Sequence, residues 1–173
     1  MFRRVPALYL AAIAVVFFAI TLLAQQVPSS LQPPAGEQLF LTLQAKGDQV
    51  YTCKEGATRI TWVLKEPDAQ LFYKNGKPFG KHFAGPTWEA SDGSLVVGQA
   101  AADAPAPDPN SIPWLLVHVV RHEGGTGILS RATSIQRINT KGGKAPDSGC
   151  DSTTVGHETR IAYTADYLFY APQ

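Results

Sequence analysis

One histidine of this chain lies where the backbone can turn sharply. His82 stands in the segment Gly80–Trp88, whose glycines and proline favour a tight turn that brings the imidazole beside the indole of Trp88. An imidazole has an unperturbed pKa of about 6.5, so His82 could act as an acid, a base or a ligand. It could equally be a core histidine, hydrogen-bonded to a backbone carbonyl and packed on Trp88. The sequence leaves both interpretations open.

Two aspartates could complete an acid/base pair with His82. Asp92 lies in the segment Ser91–Ser94, and Asp166 lies between two tyrosines near the C-terminus. With either partner the histidine would serve a small hydrolase by transferring protons. Glycosidase chemistry would instead need two converging carboxylates, for which Glu89 and the two aspartates are candidates. No Gly-x-Ser-x-Gly motif occurs in the chain, so a serine nucleophile of that type is not predicted.

A second polar segment, Gln136–Gly143, could bind a ligand. An arginine beside a glycine-rich backbone can hold a carboxylate or phosphate through paired hydrogen bonds, and Arg137 has this setting. The alternative is an ordinary ion pair between Arg137 and Asp166 or Asp147.

We expect any pocket to lie between the His82 turn and this second segment, because both combine polar side chains with glycine-rich backbone. The predicted ligand is a small molecule or a carbohydrate, since the three tryptophans and six tyrosines could form a face that stacks on a sugar. The same aromatic residues could instead fill the core. The predicted ligand-binding residues are His82, Trp88, Gln136, Arg137 and Thr140.

A metal site and a cofactor site are not predicted. His118 and His122 are four residues apart, which on a helix would place both on one face. The apolar run around them favours a strand, where the same spacing separates them by roughly 13 Å. No Gly-x-Gly-x-x-Gly turn is present that would indicate a dinucleotide.

The segments that must position these residues read as β-strands. From Glu37 onward, short runs of alternating apolar residues end at Gly, Pro, Asn or Asp. Lys74–Lys77 and Ser91–Ser94 contain Asn-Gly and Asp-Gly, which favour hairpin turns. These turns predict that Leu71–Tyr73 pairs with Gly80–Phe83, and Thr87–Ala90 with Leu95–Gly98.

The second half of the chain has less regular sequence patterns than the first. Four prolines make Ala101–Pro113 a crossing loop, and Trp114–Arg121 is apolar enough for a strand buried on both faces. Ile128–Ile138 fits either a strand or a short helix. Arg160–Tyr170 has high β propensity and is predicted as a final strand. The prediction is an all-β, single-domain, mostly antiparallel sandwich or barrel.

The first 26 residues are typical of an export signal. Arg3 and Arg4 precede an apolar run from Val5 to Ala24, with cleavage expected near Ala24 or Gln26. The run is also long enough for a retained anchor over residues 7–24. Either way residues 27–173 would form a periplasmic or extracellular domain, touching a membrane only through an uncleaved N-terminal segment.

The charge balance excludes nucleic acid as a predicted partner. The chain has 15 Lys and Arg against 14 Asp and Glu, and loss of Arg3 and Arg4 changes the formal net charge from +1 to −1. Binding a phosphate backbone needs a strong, clustered positive charge.

The chain has two cysteines, Cys53 and Cys150, both in the exported part. In an oxidising compartment such a pair favours a disulfide, with two free thiols as the alternative.

Several segments in order resemble the family called domain of unknown function 3455, found in exported bacterial proteins and in fungi and plants. The resemblance implies one exported β-rich domain and assigns no catalytic or binding residues. We therefore expect a binding or cell-envelope accessory module, with a small hydrolase and a purely structural surface protein as alternatives. The segments are Val27-Pro28, Pro33–Glu37, Gln49–Cys53, Gly80–Trp88, Ile112–Leu116, Ser134–Arg137, Thr140–Gly143 and Tyr163–Tyr167.

Overall fold

Residues 26–173 are described in the computed structural model, and their eight antiparallel strands close into a barrel. Each strand pairs with the next, and the last pairs with the first. The predicted all-β class is confirmed, and of the two architectures the structure has the barrel. The strands are β1 (Glu37–Glu55), β2 (Ile60–Phe72), β3 (Pro78–Phe83), β4 (Thr87–Ala90), β5 (Leu95–Ala104), β6 (Trp114–Glu123), β7 (Ser134–Gly142) and β8 (Glu158–Pro172).

The barrel interior holds the main hydrophobic core. Inward-facing side chains such as Leu43, Leu71 and Phe169 have no exposed surface, as the alternation of side chains along a strand requires. Leu39 breaks the alternation predicted for the start of β1, because a bulge between Leu39 and Leu41 leaves Leu39 49% exposed.

The two ends of the barrel differ. The connections after β1, β3, β5 and β7 gather at one end, which we call the loop end, since consecutive strands are antiparallel. A short 3-10 helix, Ile128–Arg131, lies in the β6–β7 connection at the other end and buries Leu129 completely. The segment predicted as either strand or helix therefore contains both, this helix and the start of β7.

A second apolar cluster covers one outer face of the barrel. Leu31, in the 3-10 helix Ser29–Leu31, packs with Trp114, Leu116 and Ile138. This layer explains why β6 is buried on both faces only over its first four residues. The outer side chains there lie under the N-terminal segment, whereas the later ones are exposed.

The predicted hairpins are confirmed. β2 pairs with β3 across the turn that contains Gly76 (φ +80°), and β4 with β5 across the turn that contains Gly93 (φ +86°). The predicted crossing loop begins later than expected, because β5 continues to Ala104 and only residues 105–113 are irregular. Its prolines at 105, 107, 109 and 113 all lie outside the strands.

The predicted disulfide between Cys53 and Cys150 is present, with the two Cα atoms 5.4 Å apart. It joins the end of β1 to the β7–β8 connection at the loop end. The indole Nε1 of Trp62 donates to the carbonyl of Ser148 (2.9 Å) and holds the same connection against β2. The loop end is thus fixed to the barrel wall at two points.

The predicted signal or anchor, residues 1–26, lies outside the described residues except for Gln26. Within residues 26–173, no helix has the length and hydrophobicity needed to cross a membrane.

Candidate functional site

The predicted neighbours His82 and Trp88 meet inside the barrel. They lie directly opposite each other on β3 and β4, and their rings stack with centroids 4.3 Å apart and an interplanar angle of 12°. Tyr167 of β8 meets both rings edge-on, at 5.1 Å from His82 and 5.5 Å from Trp88. Gly98 leaves the space for the indole, since a Cβ there would lie 3.0 Å from Trp88 Cζ3.

His82 is neutral in this setting. Its side chain is 2% exposed, and Nδ1 donates to the carbonyl of Thr87 at 2.8 Å. Because burial removes the imidazolium from water, the pKa of His82 is lowered to about 3. The Nδ1–H tautomer leaves Nε2 without a proton, as an acceptor.

Arg137 points from β7 into the same region. Its Nε and Nη2 both donate to the carbonyl of Pro113, at 3.2 and 2.9 Å. Arg137 forms neither of the ion pairs left open by the sequence, because Asp166 instead accepts a hydrogen bond from Asn139 (2.8 Å) on the outer surface. A half-buried cation therefore faces the barrel interior and contacts a carbonyl rather than a carboxylate.

A cavity of 40 Å³ lies between the two predicted segments. His82, Trp88, Tyr167 and Arg137 supply its polar groups, and Leu115 and Val117 are part of its apolar wall. The volume holds about three water molecules. None of the residues that line it carries a carboxylate.

The polar groups of the cavity differ in their partners, and the hydroxyl of Tyr167 contacts that of Tyr163 at 3.5 Å. Within the described chain, Nε1 of Trp88 is buried and forms no hydrogen bond. Burial raises the pKa of the Tyr167 phenol, and the positive charge of Arg137 opposes this shift without reversing it. Tyr167 therefore stays protonated and can donate its hydroxyl proton.

Gln136 and Thr140, which were predicted to join the ligand site, face the opposite side of β7. Gln136 Nε2 donates to the carbonyl of Leu31 (2.5 Å) and its Oε1 accepts from the hydroxyl of Tyr170 (2.6 Å). Thr140 Oγ1 donates to the carbonyl of Ile112 (2.6 Å). Both side chains anchor neighbouring segments, and neither lines the cavity.

The structure does not bring His82 together with an aspartate. Asp92 accepts from the backbone and hydroxyl of Ser94 and from the backbone N–H of Ile128, contacts that lower its pKa and tie the 3-10 helix to the β4–β5 turn. Asp166 lies outside the barrel with Asn139. Proton transfer between His82 and either aspartate, the hydrolase hypothesis, has no support in this geometry.

The remaining candidates lie apart from the cavity. His118 and His122 are both on β6, as the strand prediction requires, and His122 Nε2 donates to the carbonyl of Ala132 (2.8 Å). Among residues 26–173, no three metal-ligating side chains are grouped together. Trp88 and Trp114 are each 1% exposed, so neither can stack on a sugar at the surface.

A wider groove of 490 Å³ runs along the outer wall where β1, β7 and β8 meet. Lys46 and Lys141 lie on its sides, and Asn139 and Asp166 already bond each other within it. The groove already contains a carboxylate, that of Asp166, whereas the cavity beside Arg137 has a cation and no carboxylate among its lining residues, so the cavity is the better candidate site.

Sequence reasoning missed Tyr167 as a member of the site. Its signal is the alternation along β8, which places Tyr163, Ala165, Tyr167 and Phe169 on one buried face. Nothing local indicates that this face meets His82, because the contact depends on closure of the barrel.

Comparison with known proteins assigns the family. No curated protein and no solved structure matches the chain. The family model described as "Protein of unknown function (DUF3455)" matches residues 34–171, which span all eight strands except the final residue of β8. The chain therefore belongs to this family.

Proposed function

We propose that this protein is an exported binding module that holds a small molecule in the cavity between His82, Trp88 and Arg137. The observation that carries the proposal is Arg137, a cation facing a barrel interior whose cavity has no carboxylate. Its guanidinium is partly buried, and its bonds to the carbonyl of Pro113 are exposed to solvent. An entering ligand can therefore reach the charge without opening the barrel.

The indole of Trp88 forms part of the wall of the same site. Its ring stacks on the neutral imidazole of His82, with the centroids 4.3 Å apart, and Tyr167 meets both rings edge-on. The cation of Arg137 therefore lies beside a largely aromatic wall.

The scaffold suits binding more than catalysis. A closed eight-stranded barrel is just wide enough to fill with side chains or to hold one small ligand. Its loop end is fixed by the disulfide, and His82 stays neutral at the pH of ordinary compartments. A neutral, backbone-bonded imidazole shapes the site and does not exchange protons.

The disulfide also supports export. Disulfides persist in oxidising compartments and are rare in the cytosol. The bond between Cys53 and Cys150 therefore favours the exported location that the N-terminal sequence predicts.

The test is to isolate the protein from its native compartment and identify bound small molecules by native mass spectrometry. We expect a ligand that the Arg137→Gln variant fails to retain. Arg59→Gln is the matched control, because it removes the same charge from an exposed position far along the chain. A protein that carries no small molecule, and binds none from an extract of that compartment, would contradict the proposal.

A further inference from the structure

We infer that the cavity binds a carboxylate group, held by the guanidinium of Arg137. This inference rests on the proposed function and specifies its ligand class. It is carried by the charge of the site, the remaining hydrogens of Arg137 and the size of the cavity.

The charge of the site favours an anion. Arg137 is the only cation among the residues that line the cavity, since His82 is buried and neutral there. The acidic residues suggested as its partners are elsewhere, with Asp166 bonded to Asn139 on the outer wall. An anion in the cavity would neutralise a charge that the described residues leave unbalanced.

The free donors match the oxygens of a carboxylate. A guanidinium carries five N–H donors, and Arg137 uses its Nε and one Nη2 hydrogen on the single carbonyl oxygen of Pro113. Arg137 also interacts with the hydroxyl of Tyr167, and its remaining hydrogens are available for the paired bonds that arginine forms with carboxylates. The Tyr167 hydroxyl, which contacts that of Tyr163 at 3.5 Å, lies on the wall of the same cavity.

The size of the cavity selects among anions. Its 40 Å³ accommodate about three water-sized atoms, which equals the carbon and two oxygens of a carboxylate. A phosphate has five heavy atoms against the three of a carboxylate, and it carries more negative charge than one guanidinium balances. The apolar wall of Leu115 and Val117 suits the carbon side of a carboxylate better than a second charged oxygen.

The experiment measures acetate and formate binding to the mature protein by NMR of the tryptophan indole N–H groups. We expect a saturable shift of the Trp88 signal with either anion and none with acetamide or with sodium chloride at equal ionic strength. The affinity of Arg137→Gln should fall by at least about tenfold, because a hydrogen-bonded charge is lost. Arg59→Gln should bind like the wild type.

A second variant covers the case in which Arg137→Gln does not fold. Arg137→Lys keeps the charge but loses the forked donors, so it should bind acetate more weakly than the wild type and still respond. The carboxylate assignment is overturned by the absence of a saturable shift, by equal binding in wild type and both Arg137 variants, or by tighter binding of phosphate or chloride.

Failure of this inference is distinguishable from failure of the proposed function. If the isolated protein retains a neutral molecule in an Arg137-dependent manner while acetate and formate give no response, the binding function stands and the carboxylate is excluded. If no molecule is retained and no anion binds, both are wrong.

Discussion

The charge state of His82 follows from its position on β3. The inward direction of its side chain and the stacked ring of Trp88 remove it from water, and a single hydrogen bond to Thr87 replaces the lost hydration. A residue type associated with acid/base chemistry thereby becomes a neutral part of the wall. Its pKa of about 3 has a measurable consequence for stability.

We expect His82 to make the protein less stable as the pH falls below about 6.5. The folded-state pKa lies below the unfolded one, so between about pH 6.5 and 3 the unfolded state binds the extra proton. The free energy of unfolding should then fall by about 1.4 kcal/mol per pH unit from this group. Urea unfolding between about pH 7 and pH 5 measures it, above the range where carboxylates of ordinary pKa titrate.

The comparison variant is His82→Phe, which keeps a ring against Trp88 and does not titrate. It should lose stability at neutral pH, because the bond to Thr87 is gone, and its stability should vary less with pH. An unchanged pH slope in this variant would show that His82 is not the group responsible.

Which of two neighbouring residues enters the site could not be predicted from the sequence. Gln136 and Arg137 alternate on β7, and both faces of this strand are covered, one by the barrel interior and the other by the N-terminal segment. Alternation identifies an inner face only when the outer face is exposed. That Arg137, and not Gln136, faces inward can therefore be inferred only from the folded barrel with its outer layer.

At the scale of elements, local sequence signals predicted the hairpins but did not predict how the N-terminal segment packs on the barrel. Asn75-Gly76 and Asp92-Gly93 fix their turns through backbone preferences of one or two residues, so both hairpins could be predicted. The packing of Leu31 on Trp114 joins segments far apart in the chain, and no short pattern encodes it. The bulge between Ile138 and Lys141 is equally non-local, because it adjusts β7 to the register of β8.

The N-terminal segment should contribute to stability as a core element does. Leu31 has no exposed surface and packs against Trp114, Leu116 and Ile138, so Leu31→Ala should cost about 2–5 kcal/mol in urea unfolding. The Trp114 indole should also become accessible to acrylamide quenching.

The control for this variant is Val155→Ala, a truncation in the β7–β8 connection where the side chain is 44% exposed. It should change the free energy of unfolding by no more than about 0.5 kcal/mol. A similar small effect for Leu31→Ala, with unchanged quenching, would mean that the N-terminal segment is not docked on the barrel in solution.

At the scale of the whole molecule, closure of the barrel joins the two ends of the chain. β1 pairs with β8 from Glu37 opposite Pro172 to Thr52 opposite Glu158, and these contacts carry the largest sequence separation in the fold. Forming such contacts costs loop-closure entropy before any favourable pairing energy is gained. The disulfide lies beside the last rung of this ladder, since Cys53 follows Thr52 directly.

The disulfide should therefore act on both folding rate and stability. It links residues 97 positions apart, and the chain-entropy treatment gives an upper contribution of about 4–5 kcal/mol to the free energy of unfolding. Because the bond already holds β1 near the start of β8 in the unfolded chain, the oxidised protein should refold faster than the reduced one. Stopped-flow refolding from urea, with and without dithiothreitol, measures the difference.

The double variant with Cys53→Ser and Cys150→Ser separates closure from side effects of the reductant. It should refold at the slow rate of the reduced protein and be insensitive to dithiothreitol. If reduction instead speeds only unfolding and leaves the refolding rate unchanged, the β1–β8 ladder forms after the rate-limiting step. Barrel closure would then complete a nucleus built elsewhere, and the β3–β4–β5 hairpins, with their short connections, are the elements that could form it.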